Sequence, residues 1–210
     1  MTDSIKIAIA GPATGSTAEH GADLIFGAER AIRDINARGG VNGKMLERRK
    51  YDDTGEPKQA VAVANKIVND GVRFVVGHMA SATAEPAADI YEGEGVLLIT
   101  PGATGPELTD HGYKLIFRTI GLDSTQDPAA GNSFDKDPEN KEIVEGLKAD
   151  GTDPSRPYLF RAYAAVQVIA DGIKAAGSEN AETVTHAIRS GKFKTVIGTL
   201  SFDEKGDLRV

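Results

Sequence analysis

The chain contains no cysteine and no tryptophan, and aromatic residues make up only 6% of its 210 positions. The first absence excludes a disulfide framework, a thiol nucleophile and thiolate metal ligation. Long apolar runs are also missing. The longest is a handful of residues, far short of the ~20 that cross a bilayer. Positive charge is in deficit: 24 Lys and Arg stand against 31 Asp and Glu, a net −7 at pH 7, which argues against a nucleic-acid partner. Met1 opens directly onto Thr2-Asp3-Ser4-Ile5, so the basic and apolar regions of a secretion signal are not seen. What is present is ordinary for a globular chain: 40% apolar and 26% charged residues. A chain of this length can bury ~70% of the surface it exposes when unfolded.

Short β-rich runs alternate with longer helical stretches. Ile5–Ala10, Met45–Tyr51, Arg73–Val76, Val96–Ile99 and Leu115–Thr119 read as strands. Phe74-Val75-Val76 and Val96-Leu97-Leu98-Ile99 lack period-two alternation, which suits strands covered on both faces. Between the strands, Leu24, Ala28, Ala31 and Ile35 share one face of a helix over 20–38. Pro57 suits the first turn of a second helix, with a stripe of Val61, Ala64 and Val68 and a stop at Asn69-Asp70-Gly71. Ser81 or Thr83 is placed to cap a third, running to about Gly93. This βαβαβ order implies a parallel sheet with right-handed crossovers. Residues 122–138 break the rhythm with turn formers and little apolar content, the composition of a long crossing segment. Helices follow at about 139–149, 156–176 and 180–190, and Phe193–Leu200 is expected to pair at a sheet edge. The fold class is α/β: a flavodoxin-like or Rossmann-like lobe, sheet order 2-1-3-4-5, with helices on both faces.

In an open parallel sheet, ligands bind beyond the carboxyl ends of the strands. Three loops leave there: Gly11–Gly15, Gly77–Ser81 and Thr100–Thr104. None has the Gly-Lys-Ser/Thr ending or the G-x-G-x-x-G spacing of a phosphate loop. Ser81 opens a helix, whose free N–H groups and dipole favour a carboxylate; its plainer role is to cap that helix. The Gly102 carbonyl and the Thr104 hydroxyl are acceptors suited to an ammonium group. Together these loops can hold an α-amino acid by its two charged ends. Enzyme chemistry finds little support. His20, His78, His111 and His186 lie in different elements without ligand spacing and read as surface or loop residues, so no metal site is expected. Asp52 and Asp53, adjacent on an extended chain, point to opposite sides, which suits turn or capping duty better than an acid pair. No serine sits in a G-x-S-x-G elbow, and Glu139–Lys148 reads as a solvated mixed-charge helix face. Neither an enzyme nor a cofactor is expected.

Eight stretches carry a resemblance: Ile5-Lys6-Ile7-Ala8-Ile9-Ala10-Gly11-Pro12, Asp34-Ile35-Asn36, Tyr51-Asp52-Asp53, Pro57 to Lys66, Pro86 with Asp89-Ile90-Tyr91-Glu92, Ile99-Thr100-Pro101, Phe117 to Asp123, and Phe202 to Leu208. Through them the chain resembles the leucine/isoleucine/valine-binding proteins, type I periplasmic binding proteins that serve as solute receptors of bacterial branched-chain amino-acid ABC importers. Members have two α/β lobes with the ligand trapped between. Here the resemblance implies one lobe over 1–210, with 1–121 and 138–210 joined by a shortcut at 122–137 in place of the second lobe. Such a chain is expected to be an engineered single-lobe form. The family's disulfide would link the positions of Gly55 and Ala80, so both cysteines are absent together.

By resemblance, Ser81, Gly102 and Thr104 grip the ligand's charged ends. Met79, Ala80 and Ala103 line the same pocket, Tyr158 matches an aromatic position near the ligand side chain, and His20 replaces a tyrosine that borders the ligand. The implied partners are leucine, isoleucine or valine, bound weakly by one lobe, and an ABC permease; the implied location is the periplasm. The alternative is an engineered single-domain scaffold or self-assembling protein without ligand function. It would form a homodimer through the former inter-lobe face or through Ile25 and Phe26. At ~100° per residue, Phe26 points away from the Leu24 stripe and is expected to face solvent.

Overall fold

The computed structural model describes residues 3–123 and 133–209, so the centre of the expected shortcut, 124–132, lies outside the described residues. In chain order the elements are β1 (Ile5–Gly11), α1 (Ala18–Ala37), β2 (Leu46–Asp52), α2 (Pro57–Asn69), β3 (Phe74–Gly77), α3 (Ser81–Gly93), β4 (Leu97–Thr100), the single turn α4 (Glu107–Asp110) and β5 (Ile116–Arg118). Two 3-10 turns, Phe134–Lys136 and Pro138–Asn140, then lead into α5 (Lys141–Ala149), α6 (Leu159–Ala176), α7 (Ala181–Ser190), β6 (Phe193–Thr195) and β7 (Gly198–Leu200). Strands β1 to β5 form one parallel sheet in the expected order β2-β1-β3-β4-β5.

The strands of the middle of the sheet are buried on both sides, which explains their unbroken apolar runs. Ile7, Ile9, Phe74, Val76, Leu97, Ile99 and Phe117 point into a core shared with α1, α6 and α7. Their neighbours Ala8, Ala10, Val75, Leu98 and Ile116 point the other way, into a core built with α2 and α3. Each large apolar side chain buried in this way stabilises the fold by ~1.5–3 kcal/mol. Leu24, Ala28, Ala31 and Ile35 are all buried, as their spacing predicts. Helix α1 crosses α6 so closely that a Cβ on Gly27 would lie 2.1 Å from the Leu159 carbonyl oxygen. Only glycine permits that approach.

Two expectations are corrected. The buried face of α2 is Ala60, Val63, Ala64 and Ile67, with Val61 and Val68 half-buried at its margins. The helix is turned by about one residue because it must face α3 as well as the sheet. Phe193–Leu200 does not extend the main sheet. Its chain reverses at Gly198 (φ +104°), the Thr195 hydroxyl donates to the Gly198 carbonyl (2.7 Å), and β6 and β7 pair with each other. The flank of β5 is instead covered by residues 202–207. The Arg118 N–H donates to the Gly206 carbonyl (3.1 Å), and Phe202 packs edge-on against Phe117.

Candidate functional site

Because β2 and β3 flank β1 on opposite sides, the sheet opens a crevice beyond the carboxyl ends of β1 and β3. Met79 fills its floor. A Cβ on Gly11 would lie 3.5 Å from Met79 Cγ, and one on Gly102 would lie 2.6 Å from the Met79 carbonyl oxygen and 2.8 Å from Met79 Cε. The close approach of the 100–105 loop to the loop that follows β3 therefore depends on glycine at 102.

Ser81 is the first residue of α3, and neither it nor Thr83 caps the helix as expected. The cap position is Ala80, extended at φ −116° and ψ 147°, which has no side-chain oxygen to offer. The Thr83 hydroxyl donates back to the Ala80 carbonyl (2.9 Å), while the Gly105 N–H donates to the Ser81 hydroxyl oxygen (2.9 Å). Ser81 keeps its own proton to donate. Among the described residues the N–H groups of Ser81 and Ala82 make no backbone hydrogen bond, so three donors converge at the positive end of a 13-residue helix.

The facing loop is organised from beneath. Thr100 is fully buried; its hydroxyl donates to the His78 carbonyl (2.7 Å) and accepts from the N–H groups of Gly102 (3.3 Å) and Ala103 (3.0 Å). Arg118, also fully buried, donates to the carbonyls of Ala103 (2.8 Å) and Gly105 (3.0 Å) and to the Thr109 hydroxyl (2.8 Å), and its Nε pairs with Asp207 at 2.6 Å. Burial pulls the Arg118 pKa below the usual arginine value, and the Asp207 carboxylate opposes that pull. With the carbonyls of 103 and 105 drawn inward, the Gly102 carbonyl and the Thr104 hydroxyl are left without a hydrogen bond among the described residues. Ala103 departs from its expected role: its methyl group is wholly buried in the core on the α2–α3 side and presents no surface to the crevice. Ala80 is exposed on the rim.

The other wall belongs to α1 and the start of α6. His20 and Tyr158 meet edge to face with ring centroids 5.2 Å apart. The Tyr158 N–H donates to the buried carboxylate of Asp23 (3.3 Å), which also pairs with Arg156. Phe26 is 39% exposed, as its helical position predicts, whereas Ile25 is half-buried against the core. On the β1 loop, Thr14 donates to Asp52 through its hydroxyl (2.6 Å) and its N–H (3.3 Å). Burial pushes the Asp52 carboxyl up, but the hydrogen bonds from Thr14, Thr54 and Ala13 outweigh it and hold it below the usual range.

One cluster escaped the reading of the sequence. His78 is fully buried rather than on the surface, with Nδ1 2.5 Å from Asp53 Oδ2 and Nε2 3.1 Å from the Tyr91 hydroxyl. Burial, then the Asp53 charge, push the Tyr91 hydroxyl well above the ordinary tyrosine range. Asp52 and Asp53 do point apart, Asp53 also accepting from the Gly55 N–H (2.9 Å). The available signal was positional: His78 directly follows an apolar strand, where a polar side chain needs a buried partner. His111 stacks on Tyr113 at the surface and His186 is exposed on α7. Among the described residues no group of three His, Asp or Glu is placed to hold a metal.

Over residues 4–144 the chain matches the profile of a family described as periplasmic binding protein. The chain belongs to that family. Over 99% of its length this periplasmic binding protein is 36% identical to the leucine-, isoleucine-, valine-, threonine- and alanine-binding protein of Pseudomonas aeruginosa, covering 88% of that relative. The alignment runs to 327 positions against 210 residues, so at least 117 positions face no residue of this chain. With the Leu/Ile/Val-binding protein of Escherichia coli, identity rises to 55% over 130 residues, 62% of this chain and 35% of that one.

Among solved structures, the branched-chain amino acid transporter substrate binding protein LivJ from Streptococcus pneumoniae, in complex with isoleucine, matches with a TM-score of 0.84 at 18% identity, covering 98% of this chain and 94% of that one. The leucine binding protein LivK from Thermotoga maritima matches with a TM-score of 0.82, also at 18% identity, over 97% and 93%. At such identities the likeness speaks for the fold, which is that of the type I periplasmic binding proteins. The relatives of this periplasmic binding protein are solute-binding components of transporters, not enzymes.

Proposed function

We propose that the chain is a single amino-acid-binding lobe of a branched-chain amino-acid receptor serving an ABC importer, and that alone it binds leucine, isoleucine or valine weakly. The observation that carries this reading is the placing of donors and acceptors side by side on the α3–β4 wall of the crevice, where the Gly105 N–H donates to the Ser81 hydroxyl oxygen. The Ser81 hydroxyl and the N–H groups of Ser81 and Ala82 suit an α-carboxylate, and the Gly102 carbonyl and Thr104 hydroxyl suit an α-ammonium. Met79 offers an apolar floor, and His20 with Tyr158 borders the space for a side chain. The 117 or more unmatched positions of the Pseudomonas alignment support a one-lobe form. A ligand held by one lobe stays open to water, which screens each polar contact and leaves its side chain partly wet. Burying a leucine side chain is worth ~1.5–3 kcal/mol; losing much of that places the dissociation constant at ~1 mM or weaker. A periplasmic location and an ABC permease partner belong to the same proposal.

A leucine titration followed by amide NMR tests it. Shifts are expected to centre on residues 79–82 and 102–104. Micromolar binding by a verified monomer refutes the affinity, and saturable binding elsewhere refutes the site. A second reading, an engineered scaffold that self-associates without ligand function, is favoured by the exposed ring of Phe26. Sedimentation showing a homodimer, together with no leucine-dependent shift, would select it.

A further inference from the structure

All three crevice loops are tied to one buried cluster. The Asp53 N–H donates to the Gly11 carbonyl (3.1 Å), where the first loop leaves β1. The Asp53 carboxylate holds the His78 ring through Nδ1, and Tyr91 of α3 meets the ring at Nε2. The second loop begins at His78 itself, three residues before Ser81. The third is reached through the main chain: the His78 carbonyl accepts from the Thr100 hydroxyl, and that same hydroxyl accepts from the N–H groups of Gly102 and Ala103. An N–H on Nδ1 faces the Asp53 carboxyl group, and Nε2 faces the Tyr91 hydroxyl, which can donate or accept. Asp53, His78 and Thr100 are all fully buried, so none of them reaches a ligand in the crevice.

We propose that His78 is a positioning residue for the amino-acid site: held by Asp53 and Tyr91, it orients the Thr100 hydroxyl and through it the Gly102–Thr104 loop. The role rests on the amino-acid reading of the crevice. Its physical basis is that a buried, fully partnered polar network has one favoured arrangement, whereas an apolar contact tolerates sliding. The groups offered to the ammonium, the Gly102 carbonyl and the Thr104 hydroxyl, make no hydrogen bond among the described residues. Thr100 holds the loop at the N–H groups of Gly102 and Ala103, while Arg118 holds the carbonyls of Ala103 and Gly105 and the Asp123 N–H donates to the Thr104 carbonyl (3.1 Å).

Four variants test the relay: Asp53→Asn, His78→Leu, His78→Asn and Thr100→Val. Asp53→Asn keeps the side-chain volume and an oxygen for the Gly55 N–H while weakening the hold on the ring. In the ligand-free protein it should shift the amide resonances of Gly102 and Ala103, residues with which Asp53 shares no hydrogen bond. Leucine affinity should fall about tenfold, the low end of what losing an orienting outer partner costs. Adding Thr100→Val should produce no further loss, since both changes cut the same path. His78→Leu should behave like Asp53→Asn, and His78→Asn, whose amide can stand in for Nδ1–H, should return toward the parent. Unmoved Gly102 and Ala103 amides in Asp53→Asn, or additive losses in the double variant, overturn the proposal. If His78→Leu does not fold, Asp53→Asn decides. If the parent shows no leucine binding, the amino-acid reading fails, and the ligand-free amide shifts still judge the relay.

Discussion

The two walls of the crevice are built on different principles. On the α3–β4 side, main-chain groups are aimed by buried polar side chains: Thr100 on the N–H groups of Gly102 and Ala103, Arg118 on the carbonyls of Ala103 and Gly105. On the α1–α6 side, the contacts are rings and helix packing: His20 against Tyr158, and Arg156 5.8 Å from the centroid of Phe26. Hydrogen bonds fix direction as well as distance, whereas ring contacts fix little more than proximity. On the proposed function, the first wall distinguishes the charged ends of a ligand, and the second sets how much side chain fits.

The largest blow to that contrast comes from Arg118→Met. It leaves Asp207 and the carbonyls of Ala103 and Gly105 facing an apolar side chain, so unfolding in urea should show a loss of about 3–5 kcal/mol. A loss below about 1 kcal/mol would mean that the loop supports itself. Gly27→Ala strikes the opposite wall. Its methyl group meets the Leu159 carbonyl, pushes α1 from α6, and should lower stability by about 1–3 kcal/mol while shifting Tyr158 resonances more than those of Gly102.

Combining Ser81→Ala and Thr104→Ala removes the ligand contacts of the proposed site and leaves the helices in place. At ~1 kcal/mol per hydrogen bond, leucine should bind at least about tenfold more weakly, and an unchanged titration curve would break the comparison at its centre. Asp52→Asn sharpens it in acid. The native Asp52 carboxyl lies below its ordinary value of 3.8, so the stability it contributes is complete above that pH and is lost as pH falls through the lower native value. Below pH 3.8 the parent should therefore lose stability more steeply than Asp52→Asn, and parallel acid-unfolding curves would remove Asp52 from the account. The smallest effect is expected from Phe26→Ser, within about 0.5 kcal/mol in stability, with any concentration-dependent association abolished in sedimentation.

Most of the sheet could be read from the chain. The strands around Ile7, Val75, Leu98 and Phe117, the α1 stripe and the exposed Phe26 follow from residue order and period, because a strand or helix face is set by neighbours a few positions apart. The three loops at the crevice were legible for the same reason: each leaves the carboxyl end of a strand. Less was visible where one element must choose among partners. The rotation of α2 by a residue and the self-pairing of β6 with β7 depend on what faces them, and periodicity carries no such information.

The polar network was the least legible part. His78 meets Asp53 from 25 positions away, and Thr109 meets Asp207 from 98, so neither pairing leaves a local mark. The sequence by itself determined the order of the main strands and helices, the faces that the central strands and α1 bury and the loops that leave the carboxyl ends of the strands. Only the tertiary structure decided that His78 and Arg118 are buried, that Ala103 turns inward and that the Gly102 carbonyl and Thr104 hydroxyl make no hydrogen bond among the described residues. A buried polar group needs partners, and which partners reach it is settled when distant segments pack.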